Sequence, residues 1–166
     1  MATFRSFTGF VTAIENFMTG GESLGCYKRI SLQGMEGNTV NFIVSPCTYF
    51  IDQAMITTDD LVTGFYDADL PVVLIYPPQY RAVVMVREEQ HRSVKVDFFN
   101  EQLISSDGTL KLNIAPYTSV VLENGQMFTG NPANRNLAVV YGPTTRSIPA
   151  QTTPYEVIVL CREDCL

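Results

Sequence analysis

The sequence holds a single histidine, 11 lysines and arginines, and no apolar run of the length a bilayer requires. Each shortage closes off a class of function. A spanning helix needs roughly 20 apolar residues. The longest candidate, Leu70 to Tyr76, is far shorter and carries Pro71, so no transmembrane segment is expected. The chain opens Met-Ala-Thr-Phe-Arg-Ser-Phe-Thr-Gly, without a basic segment leading into an apolar one. No secretory signal is expected, and a cytoplasmic location follows; any surface or spore association would need lysis, sporulation or another route. The scattered basic residues are outnumbered by 17 acids, for a net charge of −6. Nucleic-acid binding calls for a basic face that neutralises phosphates, so no nucleic-acid partner is expected.

Catalytic chemistry is equally sparse. His91 lies in the charged stretch Glu88-Glu89-Gln90-His91-Arg92, where a solvated side chain is the expectation. There is no Gly-x-Ser-x-Gly, P-loop or dinucleotide fingerprint. Asp67-Ala68-Asp69 is the one paired-carboxylate motif of interest; two carboxylates make a poor calcium site, and a solvated loop is expected. The reading is of no catalytic residue, no cofactor, no metal and no enzyme.

Four cysteines are present: Cys26, Cys47, Cys161 and Cys165. Without a signal peptide they are expected to be reduced. A tetrahedral zinc site would need Cys26 and Cys47 to converge on Cys161-x-x-x-Cys165. The terminal pair, in a short polar tail, could cross-link subunits under oxidising conditions.

What the chain does contain is internal similarity. Thr39, Val44, Pro46 and Thr48 fall on Thr109, Ile114, Pro116 and Thr118, a constant shift of 70 positions. Tyr66, Tyr80 and Arg87-Glu88-Glu89 fall on Tyr141, Tyr155 and Arg162-Glu163-Asp164, a shift of 75. The difference places five extra residues near Asn124 to Asn136, where a Gly/Asn/Pro-rich loop grows at little entropic cost. Two units are therefore expected, 1–89 and 90–166.

Apolar residues make up 46% of the chain, enough for a packed core. Their periodicity is mostly two. Phe10 to Ile14, Ile30 to Leu32, Val40 to Val44 and Lys95 to Phe98 suit half-buried strands. Asn124-Gly125, between Val120-Val121-Leu122 and Met127-Phe128, is a two-residue hairpin signal. No sustained helical stripe appears. The fold class is all-β: two tandem small β-barrel or sandwich units, OB-like favoured on fold analogy.

Six of the nine prolines lie in two segments, Asp67 to Gln79 and Gly142 to Pro154. Proline fixes φ and removes a donor, so both segments should be stiff and outside the strand ladder. The first is apolar with acidic entry: Asp67, Asp69, then Leu70, Val72, Leu74 and Tyr76. The second is polar and basic, with Thr144 and Arg146, and Arg135 just before its strand. Residues 1–89 carry 5 basic and 10 acidic side chains, and residues 90–166 carry 6 and 7. An acid-flanked apolar loop and an arginine-bearing one could meet head to tail between copies. The expectation is nevertheless that Val72 to Tyr76 packs under its own barrel or against the second unit, because an exposed patch of that size is unusual. Tyr66, Tyr76, Tyr80, Tyr141 and Tyr155 could line a ligand site or stand as core residues at strand ends.

Asn134 to Pro154, with Phe98-Phe99-Asn100 and Pro77-Pro78-Gln79-Tyr80, resembles an uncharacterised family of small two-repeat β proteins from clostridia-like spore-forming bacteria. That resemblance supplies no catalytic residues. It implies a bacterial setting tied to sporulation or the cell envelope. Two functions are carried forward. One is a structural, self-associating protein of a spore coat, fibre or cell-surface assembly, whose partner is itself. The other is a soluble module that binds a peptide, glycan or small ligand through its Pro-rich loops and tyrosines.

Overall fold

The computed structural model describes residues 2–17, 20–21 and 24–161. Among them there is no α-helix; the 3-10 turn at Ile51–Gln53 lies in a fold built of β-strands. The chain forms two compact units, one spanning Phe4–Glu88 and the other running from Glu89 onward.

The first unit is organised around β1 (Phe4–Asn16), whose 13 residues serve two partners. Its first half pairs antiparallel with β5 (Leu61–Asp67), from Phe4↔Asp67 to Phe10↔Leu61. Its second half pairs antiparallel with β2 (Lys28–Gln33), and the register shifts between Val11 and Ala13. Such a bulge bends a strand and raises its twist, which lets one strand serve both neighbours. From β2 the ladder passes to β3 (Thr39–Val44), and from β3, in parallel, to β6 (Gln79–Arg81). On the other side, β7 (Val84–Arg87) pairs antiparallel with β5 and in parallel with β4 (Tyr49–Phe50). β6 and β7 are one run broken at residues 82–83. There, Ala82 N donates to Ile43 O of β3 (3.0 Å) and Val83 N donates to Phe65 O of β5 (2.8 Å). The hydrogen-bonded path that leaves β5 through β1, β2 and β3 thus returns to β5 along residues 79–87.

The expected alternation is observed. Val40, Phe42 and Val44 are buried while Thr39, Asn41 and Ile43 are only partly so. Ile30 and Leu32 join them, with Val11, Val62 and Met85, in one core cluster. Full burial of Phe42 alone is worth about 2–3 kcal/mol. That ring needs space opposite it: a Cβ on Gly64 of β5 would stand 2.6 Å from it.

The second unit contains β8 (Ser93–Phe99), β9 (Leu110–Leu112), β10 (Ser119–Leu122), β11 (Arg135–Tyr141), β12 (Ala150–Thr152) and β13 (Glu156–Val159). They form a sheet ordered β10-β13-β11-β8 and a short parallel pair, β12-β9. Phe99, Leu110, Leu112, Leu137, Val139, Val157 and Val159 make its core. After β8 the chain turns sharply. Asn100 Oδ1 accepts from Gln102 N (2.9 Å) and Ile104 N (3.0 Å), and Leu103 takes a left-handed φ of 60°. Leu103 packs against the core, which offsets the cost of that conformation. The bridges Phe99↔Ser105 and Ile104↔Lys111 follow. The Asn124-Gly125 turn is present but holds three residues, 123–125: Leu122 N donates to Gln126 O (2.8 Å) and Gly125 takes the positive φ.

The same hydrogen bonds recur in each unit. Thr48 Oγ1 accepts from Ser45 N (3.1 Å) and donates to Ala82 O (2.8 Å). Thr118 Oγ1 accepts from Ala115 N (3.2 Å) and donates to Pro154 O (3.0 Å). Val83 N meets Phe65 O and Tyr155 N meets Val140 O, both at 2.8 Å. Residues 45 and 48 thereby match 115 and 118, shifted by 70. Residue 65 matches 140, shifted by 75, while 82 and 83 match 154 and 155, shifted by 72. The last shift corrects the alignment read from the letters. Tyr80 falls on Thr152 and Tyr155 on Val83, so the two Pro-rich segments differ in length by three residues.

Candidate functional site

The segment between β5 and β6 is the most distinctive surface of the first unit. Its entry is a turn in which Asp67 Oδ1 accepts from Asp69 N (3.0 Å) and Asp67 O accepts from Leu70 N (3.3 Å). This is the usual local role of aspartate. The exit is pinned where Asn41 N of β3 donates to Pro78 O (2.9 Å). Beneath it, Tyr66 and Tyr80 stack with centroids 3.9 Å apart and planes 7° from parallel, and both rings lean on Phe42. Burial raises the Tyr66 pKa, the hydrogen bond and charge of Tyr80 raise it further, and Arg5 opposes them.

Between these anchors, Val72, Val73, Leu74, Ile75 and Tyr76 are all exposed, Leu74 by 96% and Tyr76 by 84%. Ile75 N donates to Val73 O (3.0 Å), a three-residue turn that sets Leu74 at its apex. The expectation that this run packs under its own barrel is therefore overturned. The prolines on either side supply the reason, since Pro71 and Pro77 have no amide donor and keep the run off the ladder.

The corresponding segment of the second unit has a different character. Thr144 and Arg146 are exposed, and hydroxyl groups around them bond to each other and to the backbone. Thr145 and Ser147 hydroxyls lie 2.6 Å apart, Ser147 Oγ donates to Pro149 O (2.9 Å), and Gln151 N donates to Thr145 Oγ1 (2.9 Å). Ile148, not singled out from the sequence, is 97% exposed just before Pro149. Arg135 does not join Thr144 and Arg146. It begins β11, and the loop follows the far end of that seven-residue strand, roughly 20 Å away at strand rise. Its Nε donates to Asn131 O (3.0 Å) and its guanidinium lies 4.9 Å from the Phe128 ring centroid.

Tyr66 and Tyr80 fill each other's faces, whereas Tyr141 and Tyr155 belong to the second unit. Cys47 is in a disulfide, which corrects the expectation of four reduced thiols and removes it as a thiolate ligand. Cys26 and Cys161 are exposed thiols; Cys165 lies outside the described residues. Among the described residues no group of three or more His, Cys, Asp or Glu could hold a metal ion, and no helix is long and apolar enough to cross a membrane.

A polar cluster went unnoticed in the sequence. Asp97, buried in β8, accepts from Ser106 Oγ (2.5 Å) and Phe98 N (2.8 Å). Beside it, Asp107 accepts from Lys95 Nζ (2.7 Å), Ser105 Oγ (2.7 Å) and Thr109 Oγ1 (2.8 Å). Burial raises the Asp107 pKa, but the bonds from Lys95, Ser105 and Thr109 outweigh it and hold the carboxyl well below the usual range. Each oxygen is occupied by the turn it closes, so the cluster is structural.

No protein-family model matches the chain, and no curated protein or solved structure matches it either.

Proposed function

We propose that this chain is a non-catalytic β protein that associates with copies of itself through the β5–β6 loop of its first unit. The observation that carries this reading is the run Val72 to Tyr76: five consecutive large apolar side chains held in solvent by a loop anchored at both ends. Such a run is costly to leave in water and is a usual mark of an interaction surface. Placement in a spore coat, fibre or cell-surface assembly follows from the family resemblance and is part of the same proposal.

The same proposal takes the architecture to be a duplicated, OB-like barrel. Five features favour a small barrel in the first unit: the shared, bulged β1, the β1-β2-β3 meander, β5 beside β1, the parallel β3-β6 pairing, and the return along residues 79–87. Recurrence of the Thr48 and Thr118 bonds favours duplication. A β-solenoid of about three turns is the competing description. It would stack its coils through parallel ladders, whereas the parallel contacts here span two to four residues and the long ladders are antiparallel.

Size-exclusion chromatography with light scattering, run over a concentration series with and without reductant, tests the function. A mass above that of the single chain that grows with concentration is expected. A monomer throughout would contradict it. The alternative, a ligand module using Tyr66 and Tyr80, is weakened by their stacking on each other; stabilisation by a glycan or peptide in a thermal-shift screen would favour it.

A further inference from the structure

The geometry points to a closed, two-fold dimer in which the β5–β6 loop of one copy lies antiparallel against the same loop of a second copy. This rests on the self-association reading and specifies its partner and symmetry.

Three observations select that occupant. The first is charge. Residues 70–80 carry no charged side chain; Asp67 and Asp69 flank the run at its start and exposed Arg81 follows its end. An antiparallel two-fold contact lays apolar residues on apolar residues and brings the acidic flank of each copy toward the basic flank of the other. A net charge of −6 works against an anionic membrane surface or a nucleic acid in the same place. The second is area. The five exposed side chains offer on the order of 600 Å² per copy, so a symmetric contact covers about 1,200 Å², the lower end of a stable interface.

The third observation weighs against the head-to-tail arrangement. The corresponding segment of the second unit is three residues shorter and mostly polar, with Thr144, Thr145, Arg146 and Ser147 exposed. The Thr145 and Ser147 hydroxyls are engaged within their own loop, and Arg135 is held on Phe128 and Asn131. In that segment Ile148 alone is a large exposed apolar side chain, against five in the first unit's loop. An isologous contact closes on itself, so the product is a dimer rather than an open filament.

The test uses the full chain with Cys26 and Cys161 replaced by serine. Adding Leu74→Cys is expected to give a disulfide-linked dimer on mild oxidation that the parent does not give. In the otherwise native chain, Asp69→Lys and Arg81→Glu are each expected to weaken dimerisation at least tenfold, and the Asp69→Lys/Arg81→Glu double variant to restore it. A mixture of Leu74→Cys and Arg146→Cys chains that cross-links only between unlike partners would overturn the symmetry in favour of head-to-tail contact. Oligomers that form normally in all the charge variants and never cross-link at position 74 would overturn this inference and leave self-association standing. A monomer that floats with neutral phosphatidylcholine vesicles would overturn both.

Discussion

Gly64 shows how one residue records a neighbour. Its absent side chain makes room for Phe42, which is fully buried. Gly64→Ala should therefore cost about 1–3 kcal/mol through overpacking, seen as a lower urea midpoint with an unchanged slope. Phe42 was legible from its alternating strand. Nothing in the sequence says which ring approaches Gly64. Asp107 adds a pH-dependent test. Its folded pKa is depressed by Lys95, Ser105 and Thr109, so its contribution is complete above the unfolded value of about 4 and is lost as pH falls toward the folded one. Wild type and Asp107→Asn should differ at pH 7 by no more than about 1 kcal/mol, since solvent screens a half-exposed pair. That difference should shrink below about pH 4. A gap that widens in acid would contradict the assignment.

At the scale of elements, alternation located β1, β2 and β3, because each buries one face, and β8 by its residue types, although Val96 and Asp97 are both buried there. It passed over β4 and β12, which have two and three residues and show no period, and it did not find the break between β6 and β7. The letter alignment of Tyr80 with Tyr155 failed for a related reason. Tyrosines recur at strand ends, whereas the backbone amide of residue 155 does the work of residue 83. Thr48 and Thr118 are better markers, since each hydroxyl ties a turn to the strand-bearing segment across from it. Thr48→Val and Thr118→Val should each destabilise by about 1–2 kcal/mol, and the losses should be additive in thermal denaturation of the double variant. Strong non-additivity would mean that the two threonines do not act in separate units.

For the whole molecule, the sequence singled out the β5–β6 loop but misjudged its exposure. Proline content and hydropathy marked residues 67–79, yet a run such as Val-Val-Leu-Ile-Tyr reads equally well as core. Only the positions of its anchors, the Asp67 turn and the Asn41–Pro78 bond, show that the chain leaves the sheet between them. Sedimentation equilibrium of the wild-type chain beside Leu74→Asp addresses the central claim most directly. The account predicts a reversible dimer at twice the 18.5 kDa chain mass for the wild type and a folded monomer for Leu74→Asp. A wild-type chain that remains monomeric at every concentration, or a Leu74→Asp variant that dimerises as tightly as the wild type, would contradict it.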